Sequence, residues 1–323
     1  MKISMMGAWA IAGTLLMSAA VAAPAPGMPD GWSEAYVYSN GARLHYYRAV
    51  PNAGKPPMVM VHGMTDNGLS WTTLTRELEK FYDIYMVDMR GHGLSDPVTD
   101  TDDGDTLVKD VVGFVQALKL DKPILMGHSL GGAAVMRVAS DYPSLPRAVI
   151  MLDPAGFPTR PPTASQPAAS AAVVLPSPAP TAPVAHSPGS MNMFGSPDML
   201  VAQNNDTQEN FVAACARQNR LWHPVDCEFW ALSKRQYHGA YTPAQQRALS
   251  GVMSTGDALS RIAVPTLILK ADASAPSREN NLRAAGVIKN GTLIHIDGAG
   301  HNLHHDKRAR TVEVLNEFLR KLN

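Results

Sequence analysis

The chain has 323 residues, 45% of them apolar and 17% charged, which is enough to bury one large core or two small ones. Lysine plus arginine equals aspartate plus glutamate at 28 each, and neither sign gathers in a block. That balance argues against nucleic acid or an anionic membrane surface as a partner and leaves a neutral or modestly polar small molecule.

The first residues read MKISMMGAWAIAGTLLMSAAVAAPAPG: one lysine, an apolar run from Met5 to Met17, then Ala20-Val21-Ala22 in an A-x-A arrangement. This is the order of a secretory signal over 1–22, with cleavage expected after Ala22 and a periplasmic or secreted destination. A retained anchor is the alternative, but the apolar run is short beside the ~20 residues of a spanning helix. No stable membrane insertion is expected after cleavage.

From Tyr36 onward, YVYS and LHYYRAV predict an antiparallel hairpin turned by Asn40-Gly41, a dipeptide that accepts the left-handed backbone such turns need. Then come PMVMVHG (57–63), YDIYMVDMRG (82–91), KPILMGHS (122–129) and RAVIMLDP (147–154), each largely apolar rather than alternating. Strands of that kind are covered on both faces, as in a parallel sheet with flanking helices. Between them Trp71 to Lys80 and Thr106 to Leu118 carry helical spacing, the second with Leu107, Val111, Phe114, Val115 and Leu118 on one stripe. The alternation predicts an α/β fold.

The pattern then stops. Pro158 to Pro188 holds nine prolines among alanine, serine and threonine, a composition that neither continues a sheet nor builds a core, so 158–190 reads as a loose surface excursion. From 191 to about 260 the spacing is helical and aromatic-rich, with Phe211, Trp222, Phe229, Trp230 and Tyr237. We read 154–260 as a cap inserted between the sixth and seventh strands, and 23–153 with 261–323 as the core. Cys215 and Cys227 are the two cysteines, 12 residues apart, which in an exported chain suggests a local disulfide worth roughly 2–3 kcal/mol, with two free thiols as the alternative. The sheet resumes at PTLILKAD (265–272) and GTLIHIDG (291–298), and a final helix puts Val312, Leu315, Leu319 and Leu322 on one face.

Three stretches could carry chemistry. GHSLGG places Ser129 in a G-x-S-x-G pattern after a buried strand and before a helix-like run; a turn that tight tolerates no side chain two residues either side, and it lifts the hydroxyl above the sheet. The following helix N-terminus offers Leu130 N–H to a developing oxyanion, and His62-Gly63-Met64, at the end of an earlier strand, offers Met64 N–H as the second donor. His62 itself is equally readable as a structural hydrogen bonder. A serine hydroxyl needs a base. Of the eleven histidines, His301 in GAGHNLHH follows the last strand on a glycine loop and can hang over the sheet, whereas His92 in RGHG reads as structural. His304 and His305 lie close by, but no cluster of carboxylates accompanies them, and no metal is expected.

VHGMTDNGLSW (61–71), DMRGHGLSD (88–96), GHSLGG and IDGAGHN stand in the order and spacing of the α/β-hydrolase superfamily, which the chain resembles outside the leader and the proline-rich stretch. The resemblance implies a mostly parallel eight-stranded sheet with helices on both faces, a helical cap, and a cofactor-free serine hydrolase. Epoxide hydrolases and haloalkane dehalogenases of the superfamily carry an aspartate at the elbow, so Ser129 argues against both. Many members place the triad acid just past the seventh strand as G-[DE]-x-D. Laid on KADAS (270–274), that pattern puts Ser274 at the acid position and Asp272 on the earlier carboxylate. Other members carry the acid at the end of the sixth strand, where VIMLDPAG has Asp153. Asp153 and Asp272 both remain candidates, with Asp153 preferred. Asp66 and the cap residue Trp222 are candidates to touch substrate, although Asn67-Gly68 beside Asp66 also reads as a turn. Cleavage of a carboxylic ester is the expectation; a lactonase, an amidase, a carbon–carbon bond hydrolase or a sensor that keeps the same residues to bind a ligand are the alternatives. The oligomeric state is not encoded in any of these features.

Overall fold

The computed structural model describes residues 27–52, 54–158 and 197–322. The leader read at 1–22 and the proline-rich stretch, from its second residue onward, lie outside the described residues. Eight strands form one sheet: β1 (Ser33–Ser39), β2 (Ala42–Arg48), β3 (Pro57–Val61), β4 (Asp83–Val87), β5 (Ile124–His128), β6 (Ala148–Leu152), β7 (Thr266–Lys270) and β8 (Gly291–His295). Their spatial order is β1-β2-β4-β3-β5-β6-β7-β8, antiparallel at β1, β2 and the β2–β4 seam and parallel from β4 to β8. The hairpin closes with Ser39 opposite Ala42, and Asn40 and Gly41 both sit at positive φ, 45° and 76°, the mirror-image turn whose twist matches that of its strands.

Parallel neighbours require crossovers, and these are helical. The helices of the core are α1 (Thr72–Leu78), α2 (Thr106–Ala117), α3 (Ser129–Asp141), and, after the insertion, α9 (Ala275–Ala285), α10 (Leu303–Asp306) and α11 (Arg308–Leu319). They cover the sheet on both faces, which explains why the strands do not alternate. Met58, Met60, Met86, Met126, Ile150 and Leu269 pack with Leu74 and Leu78 of α1 and Val314, Leu315 and Leu319 of α11. Val59, Val61, Leu125, Val149, Met151 and Ile268 pack with Leu107, Val111 and Phe114 of α2 and Val135 and Val138 of α3. The methionines of the strands therefore fill core, as flexible apolar side chains do. The helix expected over Trp71–Lys80 spans Thr72–Leu78, and a single 3₁₀ turn over Gly68–Trp71 precedes it, capped by the Asn67 carboxamide oxygen, which accepts from Leu69 N–H at 3.1 Å.

Between β6 and β7 the described residues hold α4 (Pro197–Asn205), α5 (Gln208–Gln218), α6 (Pro224–Arg235), α7 (Pro243–Gly251) and α8 (Ala258–Arg261). Cys215 of α5 and Cys227 of α6 form a disulfide, packed with Trp222 and Trp230. None of the helices among the described residues is long and apolar enough to cross a membrane. The loops that leave the carboxyl ends of β3, β5, β6 and β8 carry Met64, Ser129, Asp153 and His301, and that end of a parallel sheet is where ligands of α/β folds bind.

Candidate active site

Ser129 is the first residue of α3 and directly follows β5, all of whose residues are buried. Its φ is +49°, a left-handed backbone that costs a non-glycine residue of order 1–3 kcal/mol and persists only where the surroundings hold it. They do so by backbone contact. A Cβ on Gly127 would lie 2.2 Å from Gly131 O, and one on Gly131 would lie 2.1 Å from Val61 O. The close approach lets Gly131 N–H donate to His62 O at 3.1 Å and Ala155 N–H donate to Ser129 O at 2.8 Å. The elbow is thus stitched to β3 on one side and to the turn after β6 on the other.

Asp153 follows β6, also with a positive φ of 40°. Its Oδ2 lies 2.6 Å from His301 Nδ1, and its Oδ1 lies 2.5 Å from Lys270 Nζ. Burial pushes this carboxyl up, but the bond to His301 and the Lys270 ammonium outweigh burial and hold it well below the usual carboxylate range. An ionised carboxylate only accepts, so Nδ1 of His301 carries a proton, and in the neutral imidazole that tautomer leaves the lone pair on Nε2. Such an imidazole can take a proton from a hydroxyl and is stabilised when it does so. Of the two candidate acids, then, the structure brings Asp153 to the imidazole. It takes Asp272 elsewhere: the Asp272 carboxylate pairs with Arg278 at 2.5 Å and accepts Gly298 N–H at 2.8 Å, contacts that hold it at about 2 on the surface. Ser274, at the position where the superfamily pattern expects the acid, immediately precedes α9 with its hydroxyl 3.0 Å from that of Ser277.

The two backbone donors proposed for an oxyanion flank the elbow. Leu130 N–H falls in the first turn of α3, where no intrahelical acceptor exists. Met64 is buried at the head of the loop after β3, and Gly63 before it has no room for a side chain, since a Cβ there would lie 2.8 Å from His128 Nδ1. His62 is a strut: its Nδ1–H donates to Gly63 O at 2.7 Å and its Nε2 accepts Met89 N–H at 3.0 Å. His92, buried, donates from Nδ1 to Arg90 O at 3.0 Å.

The two residues expected to touch substrate are engaged with protein. The Asp66 carboxylate takes Lys234 Nζ at 2.8 Å. The Trp222 indole N–H donates to Asp306 at 2.6 Å while its ring stacks on His305, centroids 4.4 Å apart.

Three contributors were not legible in the sequence motifs. Lys270 and Lys234 arrive from β7 and α6, and the one signal for Lys234 is a lysine placed on the stripe Cys227, Ala231, Lys234 that α6 buries. His128, the second residue of GHSLGG, donates from Nε2 to His301 O at 3.0 Å and so ties the imidazole-bearing loop to β5. Burial pushes His128 down to about 3. It also stands second in a row of rings, His301, His128, His304 and His305, at successive centroid spacings of 4.8, 4.7 and 4.1 Å.

Residues 58–314 match the alpha/beta hydrolase family. The chain belongs to that family. Among its relatives, this alpha/beta hydrolase is 36% identical over 127 residues to the N-formylmaleamate deformylase of Pseudomonas putida, a match over 38% of this chain and 46% of that protein. It is 30% identical over 122 residues to epoxide hydrolase 1 of Caenorhabditis elegans, covering 37% and 30% of the two chains. The match thus spans less than half the length of either relative. Among solved structures, an E-2-(acetamidomethylene)succinate hydrolase superposes with a TM-score of 0.60 at 19% identity, over 90% of this chain and 99% of its own; at that identity the likeness speaks for the fold. Membership of the alpha/beta hydrolase family, with an eight-stranded mostly parallel sheet, is what the fold and the family match together establish.

Proposed function

We propose that this alpha/beta hydrolase cleaves a carboxylic ester of a small, neutral or largely apolar substrate through an acyl-enzyme. Ser129 attacks the carbonyl carbon and His301 Nε2 takes the hydroxyl proton. Asp153 fixes the imidazole tautomer and stabilises the imidazolium, while Met64 and Leu130 N–H receive the oxyanion. Collapse of the tetrahedral adduct expels the alcohol, which takes the proton from His301; water, activated by the same imidazole, then releases the acid and restores Ser129. The observations that carry this reading are the 2.6 Å contact of Asp153 with His301 Nδ1 and a serine held at φ +49° at the turn from β5 to α3, next in the chain to His128, which bonds the backbone of His301. No metal or organic cofactor enters the reaction. The leader pattern and the disulfide support export to the periplasm or the exterior.

The epoxide hydrolase likeness does not carry over its reaction, because the elbow residue here is a serine. The likeness to N-formylmaleamate deformylase supports a second reading, attack on an N-acyl bond by the same residues. Steady-state release of p-nitrophenol from short-chain esters, compared between the wild type and Ser129→Ala, tests the proposal. Turnover lost by at least about a thousandfold in the folded variant is expected. A sensor that only captures ligand would instead bind without steady-state release, and equal rates in the two proteins would remove Ser129 as nucleophile. A parallel panel of N-formyl and N-acyl amides separates the second reading.

A further inference from the structure

The loop after β3 is held from above, residue by residue, by one short segment of the cap. Lys234 Nζ donates to Thr65 O at 3.0 Å, Thr65 Oγ1 at 2.9 Å and Asp66 Oδ1 at 2.8 Å. Gln236 Oε1 accepts from Asn67 Nδ2 at 2.8 Å. The Tyr237 hydroxyl lies 3.8 Å from Met64 Sδ. Lys234 is almost wholly buried, at 1% exposure, with its ammonium 4.9 Å from the centroid of the Trp230 ring. A buried ammonium costs several kcal/mol unless its charge and its donors are matched, and here the three donors are matched by three oxygens of a single loop. An ammonium with its three N–H groups engaged in this way has none to offer a substrate.

What that grip fixes is the backbone conformation next to Met64. Thr65 sits at φ +64°, a left-handed conformation that a β-branched residue adopts only under constraint. The loop has a bond of its own in Asp66 N–H to Gly63 O at 3.2 Å. The bonds to Thr65 O and Asp66 Oδ1 come from outside it, from an element far along the chain.

We infer that Lys234 is a positioning residue for the oxyanion hole: through Thr65 and Asp66 it sets the direction of Met64 N–H, so that the cap completes the site of bond cleavage and does not merely cover it. The inference rests on the ester-hydrolase reading for its kinetic consequence, but the docking of the loop can be read without any substrate.

Lys234→Met and Asp66→Asn are the variants, with folding checked by near-UV circular dichroism. In either folded variant, hydrogen exchange at the Met64–Asn67 amides should speed up by about tenfold or more while that of α3 is unchanged. For a p-nitrophenyl ester kcat should fall at least about tenfold with KM within about twofold, and inhibition by a phenylboronic acid, which forms a tetrahedral adduct, should weaken by the same factor. Lys234→Arg, which keeps the charge, should recover part of the loss. Should Lys234→Met fail to fold, Asp66→Asn alone decides. Unchanged exchange at the loop overturns the docking, and wild-type kcat with altered KM in a folded variant overturns the positioning role. A wild type that turns over no ester in a Ser129-dependent way overturns the ester reading instead, and the exchange measurement then still decides whether Lys234 holds the loop.

Discussion

Asp153 holds two partners at once, with one carboxylate oxygen toward His301 Nδ1 and the other toward the Lys270 ammonium. An asparagine there keeps the shape but offers an amide N–H₂ where one oxygen stood, which favours the wrong imidazole tautomer and leaves Lys270 beside a neutral group. On the proposed mechanism Asp153→Asn should lower kcat by about four orders of magnitude. Asp272→Asn loses only a surface pairing with Arg278, and exposed pairs contribute little, so its kcat should stay within about twofold of wild type. Measuring the two side by side on one ester checks the assignment; the reverse ranking would move the acid to Asp272. The sequence alone leaves this choice open for a physical reason. A carboxylate at the end of β6 and one past β7 are equally compatible with a parallel sheet, and what separates them is the side-chain direction set by the loop that carries His301.

At the scale of elements, the elbow is a matter of two backbones meeting. Gly131→Ala would drive a Cβ to 2.1 Å from Val61 O, and neither atom belongs to a side chain that can swing aside; we expect a loss of about 3 kcal/mol or more, at the upper end for overpacking. Gly41→Ala makes a useful contrast: its φ is +76° but nothing lies within 4 Å of the added carbon, so about 1–2 kcal/mol of backbone strain is the whole cost. Urea unfolding of the two variants checks the difference, and equal losses would mean that the crowding at Gly131 relaxes. This elbow was legible in GHSLGG because the glycines the turn requires, Gly127 and Gly131, lie two residues either side of Ser129, even though the backbone that Gly131 approaches, at Val61, lies far along the chain. The buried strands were legible from local sequence too, as runs of valine, isoleucine, leucine and methionine. The partnership of Lys234 with Asp66 spans 168 positions, and no local periodicity encodes which loop a buried lysine will meet. The early start of the 3₁₀ turn at Gly68 was likewise hidden, since it depends on whether Asn67 caps or faces solvent.

The whole molecule should be sensitive to mild acid. Burial lowers the pKa of His62, His92, His128 and His304, the last three well below the ordinary value. In the unfolded chain these imidazoles titrate near pH 6.5. Their neutral forms therefore favour the fold fully above about pH 6.5, and that contribution is lost as the pH falls below it, at up to about 1.4 kcal/mol per pH unit for each imidazole. Between pH 6 and pH 5 the unfolding free energy should drop by at least about 2 kcal/mol, measured from urea midpoints at constant m; a flat profile would show that these rings are solvated or protonated in the native state. The grip of Lys234, Gln236 and Tyr237 on residues 64–67 bears on engineering at the same scale. A foreign cap grafted onto this sheet to change selectivity would arrive without the counterpart that Thr65 and Asp66 require, so recombination at the cap boundaries should exchange both stretches together as one heritable unit.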